Sequence, residues 1–191
     1  MNINGVFSTD RTVNLKYLVT GGAGFIGSNL VDELIRSKHD VIVVDDLSTG
    51  SIDNFTNKKN TKIYTERIQD LDLEIFQHLD GIYHLAAQAS VPISINNFYA
   101  SSQNNILSTL KVFDFAKEHN IPIVYASSSA VYGNLAIGDD KLNMKELESP
   151  YAVDKFCMEK YAEVVYKLYR LSSIGMRFFN VYGPKQDPNS P

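Results

Sequence analysis

Tyr151 and Lys155 bracket the stretch Tyr151-Ala152-Val153-Asp154-Lys155, a spacing of i and i+4. On a helix such positions share one face, which brings a phenol beside a primary amine. A tyrosine ordinarily titrates at about 10. A neighbouring ammonium stabilises the phenolate, and so would any other positive charge brought beside it. Tyr151 is therefore expected to act as a general base near neutral pH, with Lys155 as its partner. Taken alone, the pattern equally suits an ordinary half-exposed helix face.

Its weight comes from what precedes it. Thr20-Gly21-Gly22-Ala23-Gly24-Phe25-Ile26-Gly27 places glycines at 21, 24 and 27, after the apolar Tyr17-Leu18-Val19 and before a helical pattern. In a strand–turn–helix setting the first glycine permits the tight turn. The second lets backbone N–H groups approach a pyrophosphate, and the third lets helix and strand pack closely. The helix N-terminus then faces the anion. A glycine turn without a ligand is the plainer alternative, but the flanking strand and helix favour a dinucleotide. Asp45 ends the next strand, about where a carboxylate accepts hydrogen bonds from the adenosine ribose and repels a 2′-phosphate, which favours NAD over NADP. A carboxylate in a strand-end turn is the other reading.

Ser127-Ser128-Ser129 follows the apolar run Ile121 to Ala126. Hydroxyls at the C-terminal end of a strand lie where doubly wound folds bind ligands, so Ser128 or Ser129 would donate to, or relay a proton from, a substrate hydroxyl. A serine-rich turn is the alternative. Together these groups outline a reaction class in which a carbinol gives hydride to bound NAD as Tyr151 takes its proton. No metal is expected, because His39, His78, His84 and His119 show no ligand spacing. Cys157 reads as an ordinary helical cysteine.

The elements that must position these groups alternate. Strands are expected at Tyr17–Thr20, Asp40–Asp45, Lys62–Thr65, Gly81–Ala86, Ile121–Ser127 and Ser173–Phe178. Helices are expected at Ile26–Lys38, Leu71–His78 (short), Ala100–His119 and Pro150–Tyr169. Repeated β-α-β units with right-handed crossovers give an α/β fold, a doubly wound parallel sheet of Rossmann type in three αβα layers. Residues 1–14 read as a flexible polar leader, 15–191 as the NAD-binding domain, Leu135–Ser149 as a surface loop, and Gly183–Pro191 as a connection. The 191 residues, 44% hydrophobic with a net charge of -4, suit one compact domain and carry no basic excess for nucleic acid. A single cysteine fits a reducing cytoplasm, and no apolar run approaches the ~20 residues of a membrane helix.

Five segments in this order resemble the extended short-chain dehydrogenase/reductases, the NAD-dependent epimerase/dehydratase family. They are Gly21–Gly27, His84-Leu85-Ala86-Ala87, Ser127-Ser128-Ser129-Ala130-Val131-Tyr132-Gly133, Tyr151–Lys155, and Arg177-Phe178-Phe179-Asn180-Val181-Tyr182-Gly183-Pro184. The resemblance runs from about Leu15 to Pro191. It is nearest to the UDP-hexose 4-epimerases, with Ser90–Ile95 and Gln186-Asp187-Pro188 similar to the branch that includes UDP-N-acetylglucosamine 4-epimerases; UDP-glucose and UDP-glucuronate epimerases stay open. The resemblance implies that NAD is held by Gly21, Gly24, Phe25, Ile26, Gly27, Asp45, Ile68, Ala86, Ala87, Gln88, Asn105, Tyr151 and Lys155. It implies catalysis by Ser128, Tyr151 and Lys155, and substrate contacts from Ser90, Ser128, Ser129 and Asn180. The implied reaction is oxidation of a UDP-sugar at C4, turnover of the 4-keto sugar, and return of the same hydride to its other face.

Two departures stand out. Arg67-Ile68 occupies the place where the family usually has an aspartate before the residue that covers adenine. Family members also continue well beyond this length, and the further residues make most of the uridine diphosphate site; a sugar-selecting domain is thus expected to be largely missing. Related dehydratases carry Asp-Glu where this chain has Ser129-Ala130, and decarboxylases usually keep the glutamate, so both are disfavoured. A net reductase or dehydrogenase, a decarboxylase of the same family and an inactive NAD-binding fragment remain alternatives. In similar proteins, helices matching 100–119 and 150–169 form a four-helix homodimer interface; packing on the sheet alone is the simpler reading.

Overall fold

The computed structural model describes residues 13–57, 61–134 and 146–188. Its elements run β1 (Lys16–Thr20), α1 (Phe25–Arg36), β2 (Asp40–Val44), β3 (Lys62–Tyr64), β4 (Gly81–His84), α2 (Val91–Asn96), α3 (Phe98–His119), β5 (Ile123–Ser128), α4 (Pro150–Tyr169) and β6 (Ser173–Phe178). The six strands form one sheet in the order β3-β2-β1-β4-β5-β6, every pairing parallel. This is the expected doubly wound Rossmann-type α/β fold. The order reverses between β1 and β4, and that crevice is the usual ligand position.

Alternation along the strands sorts the core onto two faces. Leu18, Ile42, Val44, Ile82, Ile123 and Tyr125 face α3 and α4, where they meet Val112, Phe113, Ala116, Met158 and Ala162. Val19, Val41 and Val43 face the other way, against Val31 and Leu34 of α1. Each such side chain, fully buried, contributes about 1.5–3 kcal/mol.

Two expectations about elements need correction. Leu71–His78 is not a helix but a single 3₁₀ turn, Leu73–Ile75, begun by Asp72, whose side chain accepts from Glu74 N–H. Leu71, Leu73, Phe76 and Leu79 are all buried, and His78 takes a positive φ of 57°. Packing against the sheet overrides helical spacing there. The short helix α2 was not expected; Ser90 opens it by accepting from Ile93 N–H, with Pro92 in its first turn. The leader falls almost wholly, and the 135–149 loop and the last residues in part, outside the described residues.

After β6 the chain turns back to α1. Asn29 Nδ2 donates to the Pro184 carbonyl at 3.0 Å, and Lys185 Nζ reaches Asp32 Oδ2 at 2.5 Å and the Ser28 carbonyl at 3.2 Å. Among the described residues no helix is long and apolar enough to cross a membrane.

Candidate active site

The glycine turn joins β1 to α1. Gly21 has φ +67°, and a Cβ there would lie 2.6 Å from the Ala86 nitrogen. At Gly27 a Cβ would lie 2.1 Å from the Gly21 carbonyl oxygen. The fold itself therefore forbids a side chain at both places. Gly24 differs: a Cβ there would meet only the Gly21 oxygen, at 3.4 Å. Internal packing does not demand this glycine, and the space it leaves open lies over the first turn of α1, which has no side-chain cap. Uncapped N–H groups behind an open approach suit a diphosphate.

Asp45, 8% exposed, closes the turn from β2. Its Oδ2 accepts from Ala23 N–H and its Oδ1 from Leu47 N–H, both at 2.9 Å. Burial raises its pKa despite these bonds. The carboxylate thus has the structural duty that a strand-end turn implies; Gly24 N–H also bonds to it, which leaves one of about four lone-pair sites for a ribose hydroxyl. Arg67 pairs with Asp46 at 3.6 Å. Ile68 is 3% exposed and belongs to the larger core cluster, so little of its surface is left to cover a base.

Across the crevice, β4 leads into Ala86, Ala87 and Gln88. Ala86 N–H donates to Thr20 Oγ1 at 3.2 Å. Asn105 of α3 clamps Gln88, accepting its N–H at 2.8 Å and donating to its carbonyl at 3.2 Å. His84 is 1% exposed, between Thr20 Oγ1 at 2.8 Å and Thr109 Oγ1 at 3.4 Å. Thr109 spends its proton on the Asn105 carbonyl at 2.7 Å, so it can only accept from the ring. His84 is accordingly the Nε2–H tautomer, with Nδ1 accepting from Thr20. Burial and the nearby Lys155 pull its pKa down to about 3.

The catalytic candidates meet at the end of β5. Ser149 caps α4 by accepting from Ala152 N–H at 3.1 Å, with Pro150 next in line. Tyr151 sits in the first turn, 9% exposed, its N–H donating to Ser94 Oγ of α2 at 3.2 Å. That buried serine lies in the Ser90–Ile95 segment, which carried the resemblance without giving Ser94 a role. Ser128 accepts from Ala130 N–H at 3.1 Å and hydrogen-bonds the Tyr151 side chain. Lys155, 2% exposed, donates to the Ala126 carbonyl at 2.7 Å, with its nitrogen 5.7 Å from the Tyr151 ring centre. Burial draws its pKa down to about 8.

The groups of the chain do not by themselves favour the Tyr151 phenolate: burial raises its pKa, the Ser128 hydrogen bond lowers it, and Asp154 raises it, for a net upward direction. One Lys155 proton is directed at the Ala126 carbonyl.

Ser90 caps α2, Ser129 begins the turn after β5, and Asn180 is exposed in the segment after β6. Glu159 of α4 ties the strand ends together, accepting from Ser127 Oγ at 2.6 Å and from Arg177 Nε at 2.8 Å. It stands one helical turn beyond Lys155, a signal the sequence offered and reasoning from motifs passed over. Among the described residues no cluster of three metal-binding side chains forms.

The sequence pattern of the NAD dependent epimerase/dehydratase family matches residues 17–191. A putative UDP-glucose 4-epimerase of Methanocaldococcus jannaschii is 39% identical over 176 residues, which is 90% of this chain and 57% of that protein. The solved UDP-N-acetylglucosamine 4-epimerase from Methanobrevibacter ruminantium, in complex with UDP-N-acetylmuramic acid, shares 41% identity with a TM-score of 0.83, over 93% of this chain and 59% of that one. The UDP-glucuronic acid 4-epimerase from Bacillus cereus, solved with UDP-glucuronic acid and NAD, shares 32% identity with a TM-score of 0.83, over 92% and 60%. The chain thus spans about three fifths of the length of these relatives. With the family's motifs standing in one crevice and its pattern running through nearly the whole sequence, this chain belongs to the NAD-dependent epimerase/dehydratase family.

Proposed function

We propose that the protein is an NAD-dependent 4-epimerase of a UDP-sugar. The observation that carries this reading is the meeting of Ser128, Tyr151 and Lys155 at the strand ends beside the Gly21–Gly27 turn. In this reading the first turn of α1 holds the NAD diphosphate over Gly24, Asp45 accepts from the adenosine ribose, and residues 86–88 line the groove. When bound, NAD supplies a reversible hydride acceptor, and its positive ring favours the phenolate that burial opposes.

The chain's own part is proton handling. Ser128 orients the sugar hydroxyl toward Tyr151, which takes the proton and later returns it. Lys155 steadies the phenolate and holds the nicotinamide ribose. Ala130 carries no acid or base, so loss of water from the sugar has no catalyst at that position. The relatives' UDP-sugar ligands support the substrate class. We further propose a homodimer through α3 and α4, whose outer faces expose Leu107, Val153, Tyr161, Val164 and Leu168.

The test incubates the full-length protein with NAD and, separately, UDP-glucose, UDP-N-acetylglucosamine and UDP-glucuronate, following the sugar by proton NMR. The expected outcome is interconversion of 4-epimers without net NADH, slowed at least about hundredfold in Tyr151→Phe. NADH accumulating one-for-one with product would sink the epimerase reading in favour of a net dehydrogenase.

A further inference from the structure

Asp154 lies between Tyr151 and Lys155 in sequence yet takes no part in the proton handling above. It is 4% exposed, and its Oδ2 accepts from Asn105 Nδ2 at 3.0 Å. Asn105, 1% exposed, uses both amine protons: its Oδ1 accepts from Gln88 N–H, and its Nδ2 serves both the Gln88 carbonyl and Asp154. Ser101 Oγ adds a bond to Gln88 Oε1 at 2.9 Å.

A carboxamide has an acceptor on one side and a donor on the other, and a half-turn exchanges them. A carboxylate only accepts. Gln88 N–H and the Gln88 carbonyl already ask for this orientation of Asn105, and Asp154 adds a second acceptor on the amine side. The flipped amide would aim its oxygen at both the Gln88 carbonyl and the Asp154 carboxylate, a mismatch costly in the interior. Alanine at 154 would leave Gln88 alone to hold the amide.

We propose that Asp154 is a positioning residue: its carboxylate locks the Asn105 carboxamide so that residues 86–88 are pinned. That residues 86–88 line a cofactor groove rests on the NAD reading; the lock does not.

The experiment uses the whole chain without cofactor, as wild type, Asp154→Asn and Asp154→Ser, with hydrogen exchange following the Gln88 amide and, as a control on the opposite face of the sheet, the Val43 amide. Removing the carboxylate is expected to speed Gln88 exchange at least about fivefold with Val43 unchanged. Unchanged Gln88 exchange, or equal acceleration at both amides, overturns the lock. If Asp154→Asn does not fold, the smaller Asp154→Ser, whose hydroxyl satisfies either orientation of the amide, gives the same readout. Calorimetry with NAD then separates the readings. Affinity at least about fivefold weaker in the variants is expected, and equal affinity overturns positioning of the groove. Failure of wild type to bind NAD defeats the NAD reading and leaves the exchange readout decisive.

Discussion

At the residue scale, the glycines divide into those the fold needs and one it does not. Gly27→Ala forces a Cβ to 2.1 Å from the Gly21 carbonyl and is expected to lower the melting temperature sharply, whereas Gly24→Ala meets nothing nearer than 3.4 Å. Thermal melts should therefore leave Gly24→Ala within about 1 kcal/mol of wild type, while calorimetry shows weakened NAD binding; normal binding by Gly24→Ala would remove the diphosphate from that turn. His84 gives a pH signature. Its folded pKa, pulled down by burial and Lys155 to about 3, lies below the usual 6.5. As pH falls below about 6.5 the unfolded chain takes up a proton that the folded one refuses. The stability that neutral His84 contributes at higher pH is then lost at up to about 1.4 kcal/mol per pH unit on the way to pH 3. Urea unfolding of His84→Gln should show a shallower decline across that window. These roles divide by legibility. Glycine spacing and the Tyr151–Lys155 pair are written in sequence, because they depend on local geometry. The bond from Ala23 N–H to Asp45, the Ser94 support and the Asn105 clamp join residues far apart in the chain, and spacing alone does not reveal such partners.

At the element scale, α4 and β6 keep the bounds expected of them, and the sheet order follows from the alternation of strands and crossovers. Pro150 and its serine cap mark one helix start plainly. The stretch from Leu71 to Leu79 misled because its apolar residues follow the surface they cover rather than a helical period. The outer face of α4 supplies a test of assembly. Val164 is 48% exposed and points away from the core. In a homodimer, Val164→Glu places a charge in the interface and is expected to convert dimer to monomer by light scattering with the fold intact. A wild-type chain that is monomeric at all concentrations would end the dimer proposal.

At the scale of the whole molecule, the return of the chain from β6 to α1 joins residues 153 apart in sequence through Lys185 and Asp32. The Asp32 carboxyl is disfavoured by burial but held below its ordinary pKa by Lys185 and Thr56. Closing so wide a loop early costs more chain entropy than one ion pair returns. Such a latch can fasten only after the sheet has already brought its two halves together. It should therefore be absent from the folding transition state and act as a brake on escape from the native basin. Stopped-flow measurements on Lys185→Met are expected to show faster unfolding with an unaltered folding rate. In kinetic terms, the end of the described chain governs how long the fold lasts rather than how quickly it is reached.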